Sequence, residues 1–313
     1  MIVFGPIPSR RLGKSLGINN IPPKNCSYAC VYCQLGRTNS MTIKRQSFYK
    51  PETIYSEVRE KLDGLKKQGE IPDYLTFVPD GEPTLELNLE KEISLVKEFG
   101  IKVAVITNSS LIYMNEVREA LYRADWVSLK VDAVSEDIWQ KIDRPHRGLN
   151  LNEISKGIKE FSKNYRGQLV TETMVVSQIN DDPKEMSKTA EYILGLNPKK
   201  AYILVPTRPP SEKNIKKPSE DKIFDIWNIY TSIGLDAEII ASYEGNAFSA
   251  AGSLRESILD IISVHPMRED AIMTLIEKEK GDKKILKELV FEGLASELIY
   301  DNQKFYLRNF KKK

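Results

Sequence analysis

Three cysteines lie within eight residues of one another and are the only cysteines of the 313-residue chain. They are Cys26, Cys30 and Cys33, and the spacing Cys-x3-Cys-x2-Cys places three thiolates on one loop. Structural zinc usually takes four protein ligands, and no fourth cysteine is present. A four-iron cluster bound by three cysteines leaves one iron open for an exchangeable ligand. The spacing therefore favours an iron–sulfur cluster, with a zinc site or three incidental buried thiols as the alternatives.

The same stretch resembles the radical S-adenosylmethionine (SAM) superfamily, whose motif is Cys-x3-Cys-x-aromatic-Cys, and Tyr32 occupies the aromatic position. The resemblance implies that the three cysteines hold a [4Fe-4S] cluster and that the open iron binds the amino and carboxylate groups of SAM. It also implies an electron donor such as a ferredoxin or flavodoxin. The reduced cluster would cleave SAM to a 5′-deoxyadenosyl radical, which abstracts hydrogen from a substrate.

A second motif supports this resemblance without using the cysteines. The stretch "YLTFVPDGEPTL" (74–85) begins as a buried strand and ends in a turn. In the superfamily a Gly-Gly-Glu-Pro turn follows the second strand and holds the SAM ammonium group. Gly81, Glu82 and Pro83 match this turn, while Asp80 stands where the first glycine usually is. The resemblance assigns this turn to SAM binding. Where this sequence departs from it, the carboxylate of Asp80 would add a second acceptor for the ammonium group.

Other residues at the ends of predicted strands are candidates for contacts with SAM or substrate by the same resemblance. They are Thr107 and Asn108 after the third strand, Ser128, Lys130 and Asp132 on one face of the fourth, Glu172 on the fifth and Val205 on the sixth. For Lys130 and Asp132 the alternative is a buried ion pair without a binding role. For Val205 the alternative is an ordinary core valine, and the resemblance would place it against the adenine of SAM.

Basic residues near these strand ends could bind an anionic substrate, because guanidinium groups suit phosphate and carboxylate groups. The candidates are Arg10, Arg11 and Lys14 before the cysteines, Arg37 after them, Arg144, His146 and Arg147 after the fourth strand, and Arg208 after the sixth. Solvated surface charge is the alternative for each of them. His146 could act as an acid or a base, and an ordinary loop histidine is its alternative.

Apolar runs of strand length alternate with amphipathic runs of helical spacing between the cysteines and about residue 210. Strands are predicted within 13–21, 74–79, 102–110, 126–133, 168–176 and 200–210, and helices within 87–100, 115–124, 152–165 and 182–196. This alternation predicts parallel strands joined by crossover helices. We therefore predict an α/β fold, a partial (β/α)6 TIM-like barrel with its chemistry at the carboxyl ends of the strands. An open doubly wound sheet is the alternative.

The pattern changes near residue 250, where "SAAGSL" (249–254) indicates a linker. Three short helical runs follow, and then two strands around the turn Asp301–Asn302, an order that is typical of a winged-helix module. We therefore predict a radical SAM barrel at 1–250 and a winged-helix domain at 251–313. Winged-helix modules bind DNA, RNA or protein, so this domain is the main indication of the substrate.

Composition excludes few functions. The chain has 46 Lys and Arg against 44 Asp and Glu, a net charge of +2 that is too even to indicate nucleic-acid binding by itself. We find no secretory signal and no apolar run of the roughly 20 residues that a membrane span needs. A cytoplasmic protein without membrane contact is the expectation, and three clustered thiols in such a protein favour metal over disulfide.

The opening region (5–38) resembles a group of archaeal and bacterial radical SAM proteins that is commonly placed beside the tRNA wyosine synthases. Those synthases carry a second cluster on further cysteines, and this chain has none to spare, so wyosine synthesis itself is not expected. Together with the winged helix, the resemblance implies a macromolecular substrate, tRNA or other RNA first and a protein second. The alternative outside enzymology is an iron–sulfur redox sensor that binds DNA through its winged helix.

Overall fold

The computed structural model describes residues 2–242, 244–250 and 253–309. Its strands are β1 Val3–Ser9, β2 Gly13–Ile18, β3 Asn25–Cys26, β4 Ser40–Met41, β5 Tyr74–Phe77, β6 Lys102–Thr107, β7 Trp126–Lys130, β8 Gln168–Met174, β9 Lys200–Leu204, β10 Ala237–Ile240, β11 Met267–Arg268, β12 Ala295–Tyr300 and β13 Gln303–Arg308. Its α-helices are α1 Pro51–Lys67, α2 Leu89–Lys97, α3 Asn115–Tyr122, α4 Glu136–Ile142, α5 Leu151–Asn164, α6 Pro183–Leu194, α7 Glu220–Ser232, α8 Leu254–Val264, α9 Glu269–Lys278 and α10 Lys284–Phe291. Among these described helices, none is both long and apolar enough to cross a membrane.

A sheet of eight strands lies at the centre of the described chain, in the order β1-β2-β5-β6-β7-β8-β9-β10. The strands from β2 to β10 run parallel, and β1 pairs antiparallel with β2 at the edge. The predicted α/β fold with a mostly parallel sheet is confirmed, and it is consistent with a partial barrel.

The sheet is larger than the six strands predicted, because β1 and β10 also belong to it. Strand β1 contains Pro6 and Pro8, and proline inside a strand normally argues against that assignment. An edge position tolerates them, since a strand at the edge has one side without a ladder to complete. Strand β10 is only four residues long, which gives a periodic pattern little length in which to appear.

The two faces of the sheet bury different side chains. Along β6, Val103 and Val105 pack into the core that the sheet shares with the helices, whereas Ala104 lies in a cluster on the inner face. The same alternation along β7 places Val127 and Leu129 outward, which leaves the residues between them to point inward. The inner face therefore carries the polar side chains of β7, and it is the face on which a site can form.

Leu12 covers one end of this inner face. It lies in the turn between β1 and β2, is almost completely buried, and packs with Trp126, Val170 and Tyr202. These residues fill the amino-terminal part of the sheet's interior. The open part of the interior consequently lies toward the carboxyl ends of the strands, as in barrel enzymes.

The region after residue 253 forms a smaller unit with its own core. Helices α8, α9 and α10 pack with a three-stranded antiparallel sheet in the order β11-β13-β12, and Phe4 and Ile7 of β1 join that core. The predicted hairpin is confirmed, since β12 and β13 pair around Asp301 and Asn302, both with positive φ. The winged-helix assignment and the boundary at 250/251 stay predictions, and residues 251–252 of the predicted linker lie outside the described residues.

Candidate active site: the cysteine loop and the cavity inside the sheet

The three cysteines lie between β2 and α1, on a loop at the carboxyl end of the first parallel strand. Each of them is partly exposed. Backbone hydrogen bonds fix the loop to the end of α4, from Ala29 N to Asp143 O at 3.0 Å and from Val31 N to Ile142 O at 3.0 Å. The hydroxyl of Ser211, after β9, donates to the Val31 carbonyl at 2.8 Å. The end of α4 and the segment after β9 thus hold the cysteine loop in place.

The sulfur atoms have polar neighbours but little solvation. The Asn108 side-chain amide lies 3.5 Å from Cys26 Sγ, and Cys30 Sγ donates to Asp143 Oδ1 at 3.3 Å. Burial raises the pKa of all three thiols, for Cys26 to about 12, so without a cationic group they stay protonated. Binding to iron reverses this, because a coordinated thiol loses its proton. Three thiols on one loop at the edge of a cavity suit a cluster with one open iron.

The described side chains, the three cysteines included, are not arranged around a single metal ion. Within residues 2–242, 244–250 and 253–309, no three His, Cys, Asp or Glu side chains are grouped so that they could hold a metal ion. His146, the histidine nearest the loop in sequence, uses Nδ1 to accept a hydrogen bond from Gly148 N at 3.0 Å. The donor set that the loop offers is therefore the three thiols themselves.

The "DGEP" turn packs directly against the first cysteine. Gly81 forms a bridge with Asn25, and a Cβ at position 81 would stand 1.9 Å from the Asn25 carbonyl oxygen. Only glycine fits at that distance, so any other residue at position 81 would force the backbone of the turn to move. Glu82 N donates to the same carbonyl at 3.1 Å. The turn and Cys26 are consequently neighbours, as the resemblance implies.

Glu82 is buried and fully engaged by neutral donors. Its Oε1 accepts from Thr84 N at 3.1 Å and from the hydroxyls of Thr84 and Thr107 at 2.6 Å each, and Oε2 accepts from Asn108 N at 2.7 Å. Burial raises the pKa of Glu82, although these hydrogen bonds oppose the shift. Pro83 follows at the start of the 3-10 helix, and its carbonyl accepts from Asn20 at 3.2 Å. The carboxylate thus ties the turn to the end of β6.

Asp80, the departure from the usual glycine, faces a lysine that sequence reasoning missed. Lys24 Nζ lies 3.1 Å from Asp80 Oδ1, and both side chains are largely buried. The second oxygen, Oδ2, is buried without a hydrogen-bond donor among the described residues. Burial raises the pKa of Asp80 and the charge of Lys24 opposes the shift. Lys24 lies two residues before Cys26, in a stretch without helical or strand periodicity, so no sequence pattern indicated that its side chain would be buried beside Asp80.

Tyr32 lies between a cation and two carboxylates. Its hydroxyl donates to Asp132 and, at 3.3 Å, to Asp143, while Lys130 Nζ lies 4.8 Å from the centre of its ring. Asp132 also accepts from Met174 N at 2.8 Å. Lys130 and Asp132 therefore lie close to the same ring, yet no direct ion pair between them occurs in the described structure.

Glu172, on β8, connects its own strand to β7 and to the turn between β1 and β2 by side-chain hydrogen bonds. It accepts hydrogen bonds from Ser128 Oγ, at 2.5 Å, and from the guanidinium of Arg11, which reaches it from the turn between β1 and β2. Burial would raise the pKa of Glu172, but the charges of Arg11 and Lys130 and the bond from Ser128 outweigh it and lower the pKa. The fold thus brings Ser128 and Glu172, on neighbouring strands, into direct contact.

A cavity of about 320 Å³ opens on the inner face of the sheet, beside the cysteine loop. Predicted residues in its wall are Arg10, Tyr32, Cys33, Lys130, Glu172, Val205 and Arg208. The cavity wall also contains Gln34, Glu244, Val264 and His265. Val264 and His265 end α8, so the C-terminal unit supplies part of the cavity wall. Sequence reasoning missed Glu244 and His265, because neither lies in a motif and only folding brings them together.

The other basic candidates lie elsewhere. Arg37 and Arg144 both pair with Glu212, at 3.4 and 2.8 Å, on the outer side of the cysteine loop. Lys14 pairs with Glu70 at 2.7 Å, and Arg147 is exposed. Arg37 and Arg144 are therefore not among the residues that line the cavity, and their part in binding a substrate stays a prediction. Arg10, Arg11 and Arg208 are the three arginines of that set that line the cavity.

Comparison with known proteins agrees with this geometry. Residues 20–190, which contain the cysteine loop and strands β5 to β8, match the radical SAM superfamily. A UPF0026 protein of Methanocaldococcus jannaschii is 48% identical over 99% of this chain and 97% of its own length. A dual-specificity RNA methyltransferase of Sulfurovum is 26% identical over 75% of this chain and 67% of its own length.

Solved structures show the same fold at low sequence identity. A radical SAM methyltransferase from Sphaerobacter thermophilus superposes with a TM-score of 0.56, 15% identity and coverage of 73% of this chain and 67% of that one. TYW1 with a lysine-pyruvate adduct bound gives a TM-score of 0.51, 16% identity and coverage of 71% and 75%. With the family match over more than half of its length, this chain belongs to the radical SAM superfamily, within its UPF0026 group.

Proposed function

We propose that this chain is a radical SAM enzyme that modifies RNA. Cys26, Cys30 and Cys33 would hold a [4Fe-4S] cluster, and SAM would bind between the cluster and the cavity. The observation that carries the proposal is the position of the cysteine loop, from which Cys33 enters the wall of a cavity at the carboxyl ends of the parallel strands. When bound and reduced by a ferredoxin- or flavodoxin-type donor, this pair supplies a 5′-deoxyadenosyl radical that abstracts hydrogen.

The residues around the loop would position SAM rather than react with it. Glu82 holds the turn and Asn108 in one arrangement, and Asn108 in turn contacts Cys26. The oxygen of Asp80 that lacks a donor would accept from the SAM ammonium group. Tyr32 and Val205 lie in the cavity wall, where they offer apolar surface to adenine.

Two charged residues of the cavity wall, Lys130 and Glu172, would face SAM or the substrate. Each is held by neighbours, Lys130 over the Tyr32 ring and Glu172 by Ser128 and Arg11. Their side chains are therefore fixed before a substrate arrives, which reduces the entropy that ordering them would cost. We expect them to orient the sugar of SAM or the substrate group by hydrogen bonds.

RNA is the substrate class that the similar proteins favour. The relative in Sulfurovum bears the name of an RNA methyltransferase, and its similarity extends over three quarters of this chain. The C-terminal unit, whose helices and hairpin we interpret as a winged helix, is a second reason to expect a macromolecule. Bulk tRNA is accordingly the first substrate to test.

A protein substrate is the second candidate, and the charges of the C-terminal unit favour it. Three of its basic side chains are compensated: Lys283 pairs with Glu277, Lys304 with Glu269 and Arg255 with Glu292. A surface that binds phosphates needs uncompensated cations, which these residues do not supply. In addition, Phe291 and Ile299 are 93% and 71% exposed on the same unit.

The test is an anaerobic assay of 5′-deoxyadenosine after cluster reconstitution, with dithionite and SAM, in the presence and absence of bulk tRNA. We expect tRNA to stimulate production, while heparin at equal charge, the control for polyanions in general, does not. Cys30→Ser should abolish production, because a cluster with two thiolates is not retained.

Each contrary result has a definite meaning. Undiminished production by Cys30→Ser would overturn the assignment of the cluster to this loop. Production that tRNA leaves unchanged would reject RNA and favour the protein substrate. An intact cluster without any 5′-deoxyadenosine, together with sequence-specific DNA binding, would support the redox sensor instead.

A further inference from the structure

The wall of the cavity contains an arginine, a glutamate and a histidine from three parts of the chain. Arg208 follows β9, Glu244 follows β10 and His265 follows α8. Their side chains are 14%, 4% and 12% exposed. We call this group the far wall. The far wall is a buried polar cluster that lines the proposed reaction cavity, and none of its three residues has a role in the proposed binding of SAM.

One carboxylate oxygen holds the far wall together. Glu244 Oε1 accepts from Arg208 Nη2 and contacts His265 Nε2, and these two nitrogens lie 3.1 Å apart. Arg208 Nη1 donates to Gln34 Oε1 at 2.7 Å, and Gln34 directly follows Cys33. An arginine and a histidine from separate segments therefore converge on a single point, and an anion occupies that point.

The pairing at that point is incomplete. Arg208 Nε and Glu244 Oε2 are both buried and have no hydrogen-bond partner among the described residues. The Nε and Nη2 groups form one edge of a guanidinium, which suits two oxygens of the same oxyanion side by side. Glu244 engages only one of these two donors. A buried polar group without a partner is costly, so an anion that reached both donors would bind this edge better than Glu244 does.

Two further features point to an exchange of anions. Arg10 lies at the exposed side of the same cavity, where it donates to Ser242 Oγ at 3.2 Å and makes no ion pair within the described residues. Glu244 lies in a stretch whose described residues, 241–242 and 244–250, form neither helix nor strand. It can leave the far wall without breaking a backbone ladder, and two arginines and a histidine would then face the vacated position.

We propose that the far wall is an oxyanion-binding site for the substrate, and that Glu244 is an internal counter-ion which a phosphate or carboxylate group of the substrate displaces. The incoming group binds Nε and Nη2 of Arg208 and the Nε2 of His265, with Arg10 at the entrance. His265 makes the C-terminal unit part of the substrate site. The proposal rests on the proposed function only in that it places the substrate in the same cavity.

The experiment measures anion binding by the full chain without SAM, with and without the reconstituted cluster. Inorganic phosphate and acetate are the probes, and the concentration dependence of the thermal midpoint gives each Kd. We expect Glu244→Gln to bind at least one probe about tenfold more tightly than the wild type, because the internal competitor is gone. Arg208→Gln should lose that binding, and Arg37→Gln, an arginine outside the cavity, should match the wild type.

The two probes distinguish the source of the oxyanion. Tighter phosphate binding indicates a phosphoryl group such as that of a nucleotide, and tighter acetate binding indicates a carboxylate. Equal affinity of Glu244→Gln and wild type for both probes would overturn the proposal, and so would full binding by Arg208→Gln.

A second variant covers the case in which Glu244→Gln does not fold, as judged by circular dichroism. His265→Gln should then bind the probes several-fold more weakly than the wild type, and unchanged binding would contradict the proposal. No probe measurement needs SAM or turnover, so a failure here leaves the 5′-deoxyadenosine assay unaffected. Conversely, absent radical chemistry would leave the binding result standing.

Discussion

Two buried glutamates, Glu82 in the turn beside the cysteine loop and Glu244 in the far wall, are held in opposite ways. Glu82 accepts four hydrogen bonds, all from backbone N–H groups and threonine hydroxyls. Glu244 has a guanidinium and an imidazole as partners and leaves one oxygen unpaired. Burial raises the pKa of Glu82, whereas Arg208 and His265 overcome the effect of burial and lower the pKa of Glu244.

The difference separates a structural carboxylate from an exchangeable one. Neutral donors on Glu82 belong to the turn and the end of β6, so its hydrogen bonds join chain segments and leave no donor for another anion. Charged donors around Glu244 would serve any oxyanion of suitable shape. The first arrangement fixes the turn beside the cysteine loop, and the second leaves the far wall able to change partners.

The largest effect is expected at Glu82. Glu82→Gln replaces one acceptor oxygen by an N–H2 group that faces donors, so at least one buried donor loses its partner. We expect the free energy of unfolding to fall by about 3 kcal/mol or more. Urea unfolding followed by circular dichroism measures it.

Glu238→Gln is the matched control for Glu82. Glu238 is 44% exposed on β10 and pairs with Lys200, so its loss should cost less than about 1 kcal/mol. A loss for Glu82→Gln no greater than that of the control would contradict a structural role for the Glu82 carboxylate.

Glu92, behind the same turn, should make stability depend on pH. It accepts from Asn20 at 3.1 Å, and burial, with the nearby charge of Glu86, raises the pKa of Glu92 to about 8. The folded protein therefore keeps a proton that the unfolded chain releases above its ordinary pKa. Stability from this proton is complete below that ordinary value and is lost as the pH rises toward 8.

Between pH 6 and 8 we expect the wild type to lose about 2 kcal/mol relative to Glu92→Gln, whose amide cannot ionise. Thermal midpoints of both proteins across this range measure the difference. Parallel curves for the two proteins would show that Glu92 is already ionised at pH 6 in the folded state.

Tyr32 tests another pair of buried carboxylates, Asp132 and Asp143, which share its hydroxyl group as a hydrogen-bond donor. Tyr32→Phe removes the donor from Asp132 and Asp143 but keeps the ring under Lys130. We expect a loss of about 1–2 kcal/mol in the free energy of unfolding of the cluster-free protein. A variant as stable as the wild type would mean that water or a proton shared by the two carboxylates replaces the hydroxyl.

Sequence reasoning succeeded where a local pattern is sufficient. The cysteine motif, the "DGEP" turn and the alternation along β6 and β7 are each legible within about ten residues. The alternation predicted that Ser128, Lys130 and Asp132 share one face of the fourth strand, but not that Ser128 would meet Glu172. These features depend on period and neighbouring residues, so the rest of the fold has little freedom to alter them.

It failed where partners are far apart in the chain. Lys24 finds Asp80, Arg11 finds Glu172 and Arg208 finds both Glu244 and His265, and no local pattern marks these pairs. Arg37, Arg144 and Arg208 were predicted together as basic residues near the cysteine loop. Arg37 and Arg144 pair with Glu212, whereas Arg208 lines the cavity, and no local pattern separates these two outcomes.

The smallest effect is expected where the C-terminal unit touches the barrel near the far wall. The hydroxyl of Tyr300, at the end of β12, donates to the Pro206 carbonyl at 3.1 Å, two residues before Arg208. Tyr300→Phe should cost about 1 kcal/mol and leave one cooperative transition, since Phe4 and Ile7 still join the two cores. Lys217→Gln, which breaks the exposed pair with Asp301 beside it, is the control and should cost less than about 0.5 kcal/mol. Two separate transitions in the thermal unfolding of Tyr300→Phe would mean that the C-terminal unit is held chiefly by this contact, and the far wall would then open whenever the unit detached.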